Sequence, residues 1–248
     1  MPDGIALFKD RRDAGLRLAT ELAYLKRERP VVLALPRGGV PVAYEIAYEL
    51  SAPLDVLLVR KIGAPHFQEL GIGAIVDGRP PQRVINEELV KQLGVSPAYF
   101  EEEVQRQLVE IERRRQRYCG DRPPLQVAGR TVIVVDDGIA TGATMAAALK
   151  ALSQAGTKKL VLAVPVAPPD SLQRLCKEVE DVVCLLSPPD FQSVGRYYED
   201  FDQTSDEEVV ALLERQYADV PPPPRNGNPT DRSDLPLLSK RNSQRELR

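Results

Sequence analysis

One histidine, His66, and three cysteines, Cys119, Cys176 and Cys184, are all the imidazole and thiol that 248 residues offer a metal. The cysteines sit at unpaired spacings, which excludes a disulfide framework and a zinc site. His66 stands alone in a loop with no predictable carboxylate partner and is not a catalytic candidate. Gly71-Ile72-Gly73-Ala74-Ile75-Val76 stops short of a Gly-x-Gly-x-x-Gly fingerprint, and no segment reads Gly-x-x-x-x-Gly-Lys-Ser/Thr or Gly-x-Ser-x-Gly. Dinucleotide-binding, P-loop and nucleophile-elbow hydrolase readings therefore lack an entry point. A net charge of −3 with a pI of about 5.5 supplies no basic field for nucleic acid. No apolar N-terminal stretch resembles a signal peptide or membrane helix, so a cytoplasmic protein without a membrane partner is expected.

What is present is a chain with 43% hydrophobic residues, long enough to bury one large core. One domain is expected over residues 1–217. From Ala218 the composition turns to proline, asparagine, glycine, serine and basic residues, so 218–248 is expected to be a disordered Pro-rich tail.

The most informative stretch is Thr131 to Met145, TVIVVDDGIATGATM. Val132 to Val135 predict a strand buried on both faces, and Asp136 and Asp137 end it. Gly138 permits a sharp turn, and Met145, Ala148, Leu149 and Leu152 follow at helical spacing. A helix N-terminus with small side chains, here Ala140, Gly142 and Ala143, leaves room for a phosphate on its free N–H groups. Thr141 and Thr144 add hydroxyl donors, and the two carboxylates can accept from vicinal sugar hydroxyls. Together these describe a site for a ribose 5-phosphate. The competing readings are a plain βα turn with a solvated acid pair, and a metal or phosphoacceptor acid pair.

A strand followed by Asp136-Asp137-Gly138-Ile139-Ala140-Thr141-Gly142-Ala143-Thr144 resembles the phosphoribosyl pyrophosphate motif of type I phosphoribosyltransferases. The chain is most similar to the bacterial group called "predicted phosphoribosyltransferases", over roughly residues 5 to 215. That resemblance implies an α/β fold with a mostly parallel twisted sheet flanked by helices, a flexible flap and a small hood. It also implies magnesium carried by the ligand, with Asp136 and Asp137 at most in its outer shell, and a possible homodimer.

Upstream, Val31 to Leu35 predict a second buried strand, followed by Pro36-Arg37-Gly38-Gly39-Val40-Pro41 and a helix carrying Val42, Ile46 and Leu50. Gly38 and Gly39 allow the backbone close to an anion, and Arg37 offers a planar multi-donor cation. Pro41 suits the first helical position. In the related enzymes the corresponding loop binds pyrophosphate, often through a strained peptide. Leu54 to Val59 predict a strand ended by Arg60 and Lys61, which would place both cations at the sheet's carboxyl edge. By resemblance Lys61 is the second pyrophosphate contact. Residues 62–78 are expected to be a loop with a short strand at Ile72 to Val76, forming the flap.

Elsewhere, Asp10 to Arg29 predict an amphipathic helix whose Arg11, Arg12, Lys26, Arg27 and Arg29 are solvated. Arg113 to Arg117 resemble a nucleic-acid patch, but Glu101, Glu102, Glu103, Glu110 and Glu112 precede them on one predicted helix, which favours a solvated face. Cys184 is expected in the core. Phe191, Tyr197, Tyr198 and Phe201, out of 13 aromatics, either form a hood for a flat acceptor or pack a long loop.

The expected function is transfer of ribose 5-phosphate from magnesium-bound phosphoribosyl pyrophosphate to a small, nucleobase-like acceptor, releasing pyrophosphate. Asp136, Asp137, Arg37 and Lys61 would serve catalysis. Ala140, Thr141, Gly142, Ala143, Thr144, Gly38 and Gly39 would complete the donor site. Hypoxanthine–guanine enzymes place an acid where Ala140 stands, so the acceptor is not specified. The alternative class is a non-catalytic regulatory protein that binds the same ligand.

Overall fold

The computed structural model of the chain describes residues 8–220. The first half comprises α1 (Arg11–Glu21), β1 (Val31–Ala34), α2 (Gly39–Leu50), β2 (Leu54–Val56), β3 (Val59–Ala64), β4 (Phe67–Val76), β5 (Gln82–Ile85) and α3 (Glu87–Gln92). The second comprises α4 (Pro97–Cys119), β6 (Thr131–Val135), α5 (Ala143–Gln154), β7 (Lys159–Val166), α6 (Pro169–Leu175), β8 (Asp181–Leu186) and α7 (Asp206–Asp219). Five strands form a parallel sheet in the order β2-β1-β6-β7-β8.

The apolar runs become its centre because helices cover both faces. Val132 and Val134 pack in one core with Met145, Leu149 and Leu152 of α5. Ile133 and Val135, pointing the other way, share a core with Leu18 of α1 and Ile46 of α2. Burial of each such side chain contributes roughly 1.5–3 kcal/mol. The connection after β1 runs to β2 on one side, and that after β6 runs to β7 on the other. The β1/β6 boundary is thus where strand order reverses, and the loops leaving both strands open at one crevice.

Two expectations change in the second sheet, which is antiparallel with the order β3-β4-β5. Leu54 to Val59 is not one strand. β2 ends at Val56, Leu57 still donates to the Ala34 carbonyl at 2.8 Å, and Leu58 already accepts from Asp77 N at 2.8 Å. Arg60 and Lys61 therefore lie inside β3 rather than at the carboxyl end of a parallel strand. The expected loop at 62–71 is mostly a hairpin, because β4 begins at Phe67. His66 turns it with φ 62°, and Phe67 beside it is 70% exposed.

The arginine run also differs. Arg113 and Arg114 pair with Glu110, and Arg117 with Asp206, as surface charges do. Arg115 does not. Its guanidinium is buried, bonded to Asp55 on β2 at 2.7 Å and to Asp77 just beyond β4. One α4 side chain thereby joins the edge of the parallel sheet to the base of the hairpin. Burial pushes the Asp77 carboxyl upward, opposed by Arg115.

Smaller adjustments follow. Pro41 is the third residue of α2, which starts at Gly39. Cys184 is half-buried on the edge strand β8. α7 continues to Asp219, two residues into the expected tail, and the remainder of that tail lies outside the described residues. Among the described residues no helix is long and apolar enough to cross a membrane.

Candidate functional site

The crevice is closed by contact between its two loops. Gly38 approaches Asp137 so nearly that a Cβ built on it would lie 1.9 Å from Oδ2. A Cβ on Gly39 would lie 2.8 Å from the Val135 carbonyl oxygen. Only glycines permit this approach, which answers why the sequence has two in succession. The peptide joining Pro36 to Arg37, at the start of this loop, is cis.

Asp136 and Asp137 differ in environment. The Asp136 Oδ1 accepts from Asp137 N at 2.9 Å. Desolvation, and next the charge of Asp137, push its carboxyl well above the usual range. Asp137 instead has a cation. Arg11 Nε donates to its Oδ2 at 2.8 Å, both side chains being largely buried. Arg11 therefore does not lie on the solvated face its helix predicts. It is held by the ring of Phe201, 4.0 Å below the guanidinium carbon, and by the Asp202 carbonyl, to which Nη1 donates at 2.6 Å. Tyr198 donates its hydroxyl to the Asp137 carbonyl at 2.6 Å, and burial keeps that phenol protonated by raising its pKa.

The aromatic segment is thus part of the site's frame. Phe191 stacks on Tyr197 with centroids 5.8 Å apart, and Tyr198 sits against Phe8 and Phe201 at 5.3 and 4.9 Å. These rings are engaged with one another and with Arg11.

The loop after β6 presents Ala140, Thr141, Ala143 and Thr144 to solvent. Gly142 takes φ 74°, a conformation glycine adopts at little cost. Among the described residues no side chain caps α5, so its first-turn N–H groups are free of a side-chain acceptor. α6 braces the loop from behind. Ser171 Oγ donates to the Ala140 carbonyl at 2.7 Å and Arg174 to that of Thr141 at 3.2 Å.

The cations divide. Arg37 lies within 3.8 Å of Asp206 at the start of α7. Lys61 pairs at 2.9 Å with Glu69 across its own hairpin and is not brought to the aspartates. Its neighbour Arg60 is, by contrast, on the wall of a cavity of about 50 Å³ bordered by Leu35, Pro36, Val59, Arg114 and Thr144. That cavity touches the loop after β1 and the first turn of α5. Arg11 and Tyr198 carry no local sequence signal for these contacts, since each acts on Asp137, far along the chain.

Because ionised Asp136 is penalised by burial and by Asp137, Asp136→Asn should stabilise the fold at neutral pH. A carboxyl raised above its unfolded value binds more protons folded than unfolded. The penalty is therefore absent below about pH 4, grows as pH rises through the folded value and is full above it. The melting temperature of the variant should exceed that of the wild type by a few degrees at pH 8, at about 2–4 °C per kcal/mol, and match it near pH 4. Calorimetric melts at both pH values check this.

Comparison with known proteins identifies the family. Residues 11–200 match the model of the phosphoribosyl transferase domain. Over 213 residues the chain is 47% identical to proteins named "Putative phosphoribosyl transferase" in two strains of Mycobacterium tuberculosis, covering 86% of this chain and 48% of theirs. The chain thus spans about half the length of those relatives. The crystal structure of TT1426 from Thermus thermophilus superposes with a TM-score of 0.75 at 45% identity, covering 85% of this chain and 99% of that one. With the family model spanning most of the chain, and two loops meeting at the reversal of a parallel sheet, this protein belongs to the phosphoribosyl transferase family.

Proposed function

We propose that this chain transfers ribose 5-phosphate from magnesium-bound phosphoribosyl pyrophosphate to a small acceptor. The observation that carries it is the contact between Gly38 and Asp137, which makes one site of a pyrophosphate loop and a diol clamp. The 5-phosphate would sit at the N-terminus of α5 on the N–H groups of Gly142 to Thr144, with the threonine hydroxyls beside it. Asp136 and Asp137 would accept from the ribose hydroxyls. As the anomeric C–O bond breaks, its electron pair leaves on pyrophosphate, and an acceptor lone pair forms the new bond to that carbon. Negative aspartates favour the positive charge that develops on the sugar, whereas Arg37, Arg60 and backbone N–H groups favour the leaving anion. We assign Arg60 to the pyrophosphate ahead of Lys61, because Arg60 borders the cavity that touches the loop after β1 and the first turn of α5. Ala140 supplies no base for the acceptor.

Among the described residues no three His, Cys, Asp or Glu side chains gather to hold a metal ion. Asp136 and Asp137, adjacent carboxylates at the crevice, would hold in their outer shell an ion carried by the ligand. When bound, such a Mg²⁺ would supply charge to offset the leaving pyrophosphate.

Calorimetric titration with phosphoribosyl pyrophosphate and Mg²⁺ tests the proposal. Wild type should bind, and the Asp136→Asn/Asp137→Asn protein should not. A folded wild type that gives no heat of binding would remove the donor site altogether. Binding followed by pyrophosphate release in a screen of nucleobase-like acceptors would establish transfer.

A further inference from the structure

We propose that Arg11 is a positioning residue for the diol clamp: it fixes the orientation of the Asp137 carboxylate and ties it to the aromatic hood. This rests on the donor-site assignment above. The geometry is specific. One guanidinium spans three partners from three parts of the chain: Asp137 Oδ2 at 2.8 Å, the Asp202 carbonyl at 2.6 Å and the Phe201 ring at 4.0 Å. Only a planar group with several donors satisfies all three at once, which an ammonium on a flexible stem does not. Gly38 lies against the same carboxylate oxygen. Asp137 therefore has little freedom to turn, and its other oxygen remains for a sugar hydroxyl.

The pairing also decides charge. The groups against the aspartates are Arg11, which pairs with the Asp137 carboxylate, and Tyr198, which donates to the Asp137 carbonyl, while Asp10 acts on Tyr198. Arg11 is the cation among them, and it lowers Asp136 against burial and the charge of Asp137. Without Arg11 two adjacent carboxylates would face each other unneutralised, and Asp136 would be pushed further upward. A protonated carboxyl offers a sugar hydroxyl a poorer acceptor.

Titration of wild type, Arg11→Lys and Arg11→Met with phosphoribosyl pyrophosphate and Mg²⁺ between pH 5.5 and 8.5 separates positioning from mere structural support. The ligand's own phosphates titrate identically in all three. Arg11→Met should bind about tenfold or more weakly at pH 7, as loss of a hydrogen bond between charged groups implies. The acid side of its binding profile should move to higher pH. Arg11→Lys, which restores charge but not the three-way fit, should recover the pH profile and only part of the affinity. Thermal melts of each variant show whether it is folded, and if Arg11→Met is not, the partial loss in Arg11→Lys carries the test. Wild-type affinity and profile in a folded variant would overturn the proposal while leaving the donor site intact. No binding by wild type would overturn both.

Discussion

Arg115→Leu is expected to destabilise the fold by about 3–5 kcal/mol, because it leaves two buried carboxylates without their cation. A domain of ordinary stability has about 5–15 kcal/mol in all, so the loss is severe. Leucine fills much of the aliphatic volume, which isolates the charge effect from a cavity. Asp55 and Asp77 are then left facing one another across the former guanidinium position. Asp55 retains its bonds from Val56 N and Leu125 N, at 2.8 and 3.0 Å, whereas Asp77 retains only that from Gly78 N at 2.8 Å. Asp77 is already raised by burial with Arg115 beside it, and without Arg115 the bond from Gly78 N is what remains to oppose that push. A raised carboxyl costs nothing below its unfolded pKa of about 3.9 and its full penalty above the folded value, so the deficit should shrink as pH falls toward 4. Urea unfolding at pH 7.5 and 4.5 measures it. Arg115→Leu/Asp55→Asn/Asp77→Asn should recover a large part of the loss at pH 7.5. No recovery would mean that Arg115 acts through packing instead.

Gly38→Ala should leave the fold stable yet lower affinity for phosphoribosyl pyrophosphate about tenfold or more, the scale of losing a hydrogen bond to a charged group. Gly38 has φ −60° and ψ −32°, which alanine adopts without strain. The obstacle is the added methyl, whose carbon would stand 1.9 Å from Asp137 Oδ2. A free aspartate could swing aside. This one is held by Arg11, so either the pair breaks or the loop retreats, and each opens the crevice. Gly39→Ala differs in kind, since its methyl would meet the Val135 carbonyl and the Asp136 Cα, both backbone, at 2.8 and 3.0 Å. There stability should fall along with binding. Parallel melts and titrations of the two variants distinguish the cases, and equal loss of stability would contradict the contrast drawn between them.

The elements legible in the sequence are those in which one residue type repeats with a clear physical demand. Val31 to Ala34 and Val132 to Val135 are apolar and unbroken because both faces are covered, and their strands lie where the pattern predicts them. Asn86 is legible as a cap, and its side chain accepts from Leu89 N. The largely apolar run from Leu54 to Val59, broken by Asp55, hides a change of sheet, because leucines at 57 and 58 suit a strand and a buried crossing equally. Arg115 is hidden among like residues. Its burial follows from the rotational phase of α4 against two acids contributed by other elements, and no local pattern records that phase. Arg11 lies 126 positions from Asp137, so its role becomes visible only once the chain has folded.

The hairpin tip has a spectroscopic consequence. Phe67 stands 70% exposed at the turn of β3 and β4, and the sequence contains no tryptophan. An indole introduced by Phe67→Trp would be the sole tryptophan emitter. Its wavelength would report the solvent around that one turn, with no tryptophan signal from the parallel sheet beneath it.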